Sequence, residues 1–74
     1  MIQISYQEFY DSFKDSLGDD GANELLKKAI LQANLVQREY YTKEEALKLC
    51  DVLKQFGGFV GIIGGILASR FIIR

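Results

Sequence analysis

Histidine, tryptophan and proline are missing from this 74-residue sequence, and cysteine occurs once. Without imidazole there is no histidine base, no Ser–His or Cys–His nucleophile pair and no histidine metal ligand. One thiol can neither close an intramolecular disulfide nor build a structural zinc site. The lack of proline leaves no Pro-rich linker, and no GxxxxGK[ST] order exists to cradle phosphate. Met1-Ile2-Gln3-Ile4 lacks the basic start and apolar run of a signal peptide, which with the lone cysteine points to a reducing, cytoplasmic setting. These absences leave a non-enzymatic protein with no cofactor and no evident small-molecule substrate.

Size sets the next bound. A chain of 74 residues holds one domain, 1–74, whose core contributes about 3–5 kcal/mol of net stability. Disulfides and metals being excluded, association is the expected supplement, so a homo-oligomer or an obligate protein partner follows. A hydrophobic content of 49% is generous for so small an interior.

Net charge is −1, yet the charges divide along the chain. Up to Glu24 the acids Glu8, Asp11, Asp15, Asp19, Asp20 and Glu24 face Lys14 alone, whereas eight of the nine bases follow Leu25. Such a division favours folding the acidic segment onto the basic one, or head-to-tail pairing of subunits, against the plainer reading of solvated helix faces. No basic stripe is dense enough for nucleic acid. The acidic cluster also fails as a calcium loop: counting from Asp15, the sixth residue is Asp20 and the twelfth Leu26, where glycine and glutamate are needed.

Hydrophobic spacing predicts an all-α bundle of three to four short helices, over about 5–17, 20–34, 42–56 and 58–73. Ser5-Tyr6-Gln7-Glu8 reads as a capping box. Tyr6, Phe9, Tyr10, Phe13 and Leu17 then share one face, making Tyr6, Phe9, Tyr10 and Phe13 an aromatic contact face in one reading. Core packing is the other reading for Phe9 and Phe13. Gly18-Asp19-Asp20-Gly21 breaks the helix, and Ala22, Leu25, Leu26, Ala29, Ile30 and Ala33 stripe the next. Asn34 suits the left-handed residue that often ends a helix. A minor β-ribbon between 1–4 and 37–41 is a further expectation. Thr42-Lys43-Glu44-Glu45 is a second capping box, and Cys50, amid Leu47, Leu49, Val52 and Leu53, reads as a buried structural thiol. A shift of about 37 residues lays Ser5 and Glu8 on Thr42 and Glu45, a faint repeat of helix, glycine break and helix.

The last segment, 56–73, holds no charge before Arg70 and five glycines. Each helical glycine costs about 1 kcal/mol relative to alanine, so close approach by another helix must offset them. Gly57, Gly61, Gly64, Gly65 and Ala68 fall along one face, with Phe59, Ile62 and Ile66 beside it, and this set is the expected helix-packing interface of a homodimer. The alternative is membrane association, with 56–73 as an anchor. A run this short sits at or below the low end of the roughly 20 residues a span needs.

Overall fold

The computed structural model describes residues 2–74; Met1, the first residue of the expected ribbon, lies outside them. The elements are β1 (Gln3–Ser5), α1 (Tyr6–Gln32), β2 (Tyr40–Thr42), α2 (Lys43–Gln55) and α3 (Gly58–Ile72). The chain is a mostly helical globule with a small two-stranded antiparallel sheet, as the periodicity predicts.

α1 is two arms, not one rod. Gly18 takes φ 77° and ψ 171°, a combination essentially confined to glycine. The arms 6–17 and 19–32 fold back on each other there, and the Tyr6 hydroxyl donates to Asn23 Oδ1 at 2.9 Å while Tyr10 donates to Asp19. The break is narrower than the four residues expected. Asp19 and Asp20 at once begin the second arm, where a helix start favours negative charge, and Gly21 is helical. Asn34 ends this arm with φ 59°. The Leu35 amide donates to the Ile30 carbonyl at 3.0 Å and the Asn34 amide to that of Leu31 at 3.1 Å, the two bonds of a Schellman stop.

The ribbon forms a little later than expected, Gln3, Ile4 and Ser5 pairing with Thr42, Tyr41 and Tyr40. Alternation explains the choice: Ile4 and Tyr41, the central pair, both point into the core and are buried. The buried Tyr41 hydroxyl is satisfied by donating to Val36 O at 2.9 Å and accepting from the Arg38 amide at 3.0 Å. Val36 and Arg38 of the preceding segment are thereby tied to it.

Of the two capping boxes, one is complete. Glu45 N donates to Thr42 Oγ1 at 3.1 Å, and Thr42 N donates back to Glu45 Oε1 at 2.9 Å. At the start of α1, Glu8 N donates to Ser5 Oγ at 3.2 Å, but the Glu8 carboxylate turns away to Arg74 and Arg70. One acid of the first segment, Glu8, thus meets the two arginines at the other end of the chain.

α2 and α3 form a second antiparallel hairpin, turned at Gly57 with φ 74° and ψ −177°. The faint repeat is therefore present in the backbone: strand, capped helix, extended positive-φ glycine and returning helix occur twice. The offset is 37 residues at strands and caps. It is 39 between the turning glycines Gly18 and Gly57 and 38 for the buried positions of the returning helices, where Leu26, Ala29, Ile30 and Ala33 correspond to Gly64, Leu67, Ala68 and Phe71. The hairpins share one core, in which the Phe9 and Phe71 rings meet edge to face at 5.4 Å.

Candidate interaction surface

Gly61 and Gly64 face α2 of their own chain. A Cβ on Gly61 would lie 3.0 Å from the Lys54 carbonyl oxygen. On Gly64 it would lie 3.0 Å from Leu53 Cβ, 3.2 Å from Lys54 N and 3.3 Å from Cys50 O. Ala68 is buried in the same seam. Close approach does offset the glycines, as expected, but the approaching helix is α2 and not a second subunit. That corrects the expected interface for Gly61, Gly64 and Ala68. Gly57 is corrected too: it precedes α3, exposed and non-helical, and serves the turn.

The aromatic face is also redistributed. Phe9 and Phe13 are fully buried and belong to the core, not to a contact surface. Tyr6 and Tyr10 are half-buried braces between the arms of α1. The bond to Asp19 pushes the Tyr10 hydroxyl up to about 12, so it stays a donor.

On the far side of α3, Phe59, Ile62, Ile66 and Ile73 are exposed by 44%, 66%, 54% and 85%. Phe59, Ile62 and Ile66 recur at steps of three and four residues and make an apolar ridge, separated from Ile73 by the exposed Ser69 and Arg70. Phe59 is anchored at its inner edge, its ring 6.5 Å from that of Phe13. Ile72 is also exposed. The sequence spacing places Phe59, Ile62, Ile66 and Ile73 on this side; Ile72 falls outside that spacing.

Some of the charges near α3 pair within the chain. Arg74 and Arg70 converge on Glu8, the latter at 3.9 Å, and Lys54 Nζ lies 3.3 Å from Asp51. The Cys50 thiol is pushed up to about 12, by burial first and by the neighbouring Asp51 second, so it is not a thiolate at neutral pH. Among the described residues no cluster of three metal-ligating side chains occurs. No helix among them is long and apolar enough to cross a membrane. The 15 residues of α3 reach about 22 Å, against a hydrocarbon core of about 30 Å.

Comparison of the chain with protein-family models, with curated proteins and with solved structures finds no match.

Proposed function

We propose that this protein is a small, non-enzymatic cytoplasmic module for protein–protein interaction or regulation, working as a homodimer joined through the outer ridge of α3. The observation that carries the reading is the exposure of Ile62 and Ile66 at positions where the first hairpin has Glu24 and Lys28, both exposed. One unit built twice supplies its own control. The outer face of the returning helix can be charged without harm to the fold, so its apolar version in α3 answers to something outside the fold. Contiguous apolar patches on small proteins mark interaction sites, and a core of this size gains most from a second subunit.

The non-enzymatic part rests on the missing imidazole and on a single thiol buried and protonated. The cytoplasmic part rests on a single cysteine in a chain this small, since small secreted domains commonly depend on several disulfides. Sedimentation velocity of the full chain over a dilution series tests the proposal. Dimers are expected, reverting to monomers with an unchanged helical circular dichroism spectrum in Ile62→Lys. A wild-type chain that remains monomeric throughout the series would remove the reading.

A further inference from the structure

Rows of residues four apart form the ridges of a helix surface, and the space between two rows forms a groove. On the outer side of α3 one row carries Ile62 and Ile66 and ends at Arg70, and the next carries Gly65 and Ser69. Gly65 is the odd glycine of the chain. Gly18, Gly57 and Gly58 take positive φ, and Gly21, Gly61 and Gly64 would each bring a Cβ to 3.0–3.1 Å from a neighbour. A Cβ on Gly65 would meet nothing nearer than Lys54 Cδ at 4.0 Å. Glycine is a poor helix former, and nothing within the chain requires it here.

Resting on the dimer proposed above, we infer that two copies cross antiparallel about a two-fold axis beside Gly65, the Ile62–Ile66 ridge of each lying in the Gly65–Ser69 groove of the other. Such an interface is self-complementary, as a two-fold demands. Ridges of this row spacing set in like grooves cross at about 50°. The area is adequate. At about 200 Å² for a large apolar side chain, the fractions left open at Phe59, Ile62, Ile66, Ile72 and Ile73 amount to on the order of 600 Å² per copy. A standard interface takes about 800 Å² per partner, the remainder coming from the rim.

Charge favours the antiparallel direction. α3 carries one charged residue, Arg70. Parallel helices would bring two copies of Arg70 side by side and align two helix dipoles. Antiparallel helices set the arginines about 15 Å apart or more along the axis, beyond a Debye length of about 8 Å.

Cysteine cross-linking of the full chain under mild oxidation tests the crossing, with the buried Cys50 left in place. Ile66 lies near its own mate across the axis, so Ile66→Cys should give covalent dimers. Phe59 lies about 20 Å from its mate along the axis, so Phe59→Cys should give none with itself. Gly65→Ala should weaken the dissociation constant at least tenfold. Self-linking of Phe59→Cys as readily as Ile66→Cys would mean a parallel pair and overturn the inference. A wild-type dimer in which neither cysteine links and Gly65→Ala changes nothing would overturn the crossing while leaving the dimer standing. A chain monomeric in buffer that floats with vesicles of phosphatidylcholine and phosphatidylglycerol would overturn both.

Discussion

The two hairpins do the same structural job with opposite side-chain economies. In the first, the returning arm of α1 fills its seam with Leu26, and its outer face is charged at Glu24 and Lys28. In the second, α3 lies so close to α2 that Gly64 stands in the position of Leu26, and its outer face carries Ile62 and Ile66. Bulk has moved from the inside of the hairpin to the outside. A hairpin that closes on a glycine seam needs less side-chain volume within, and the apolar residues it retains outside are free to meet something else.

The largest expected effects come from exchanging those economies. Leu26→Ala should cost about 2–5 kcal/mol by opening a void in the first seam. Gly64→Leu should cost about 3 kcal/mol by overpacking the second, and chemical denaturation would read both. If Gly64→Leu were tolerated as well as its counterpart position tolerates leucine, the two seams would be equally wide and the contrast would dissolve. Next come the turns. Gly18→Ala and Gly57→Ala should each cost about 1–3 kcal/mol, since both glycines hold a backbone conformation that side chains avoid. Similar losses of melting temperature would sharpen the likeness of the hairpins, whereas a harmless Gly18→Ala would show a hinge in α1 looser than its twin.

Smaller effects separate the caps. Thr42→Ala should cost about 1 kcal/mol, and Ser5→Ala less, because Ser5 accepts one bond without a return from Glu8, which is engaged by Arg74. The smallest effect follows from pH. The Thr42 backbone and then the Arg38 guanidinium hold Glu45 below its usual value of 4.5. A carboxylate depressed in the folded state adds stability above its unfolded value, and this is lost as pH falls through the folded one. The start of α2 should therefore fray on acidification below about 4.5, seen as faster amide exchange at Glu44 and Glu45, and Glu45→Gln should remove that pH dependence.

Local signals are legible in the sequence, and distant ones are not. The Thr42–Glu45 box, the left-handed Asn34 and the buried Cys50 depend on neighbours a few residues away, and each is found as expected. The ribbon slid toward the pairing that buries both Ile4 and Tyr41, a choice made by the assembled core. Glycine at Gly61 and Gly64 announces a close neighbour without naming it, so a seam within the chain and a seam between chains leave the same trace. Glu8 sits where a capping box wants it, yet Arg74 at the far end of the chain takes its carboxylate. The repeat was faint because its halves keep backbone geometry and burial in common while sharing few residues.

Methyl NMR with a soluble paramagnetic agent, recorded along a dilution series, asks most directly whether the α3 ridge is covered. The methyl groups of Ile62 and Ile66 should be shielded in concentrated protein and become bleached on dilution, while Leu31, exposed and away from the ridge, is bleached throughout. Ile62 and Ile66 as accessible as Leu31 at every concentration would contradict a second copy on that face.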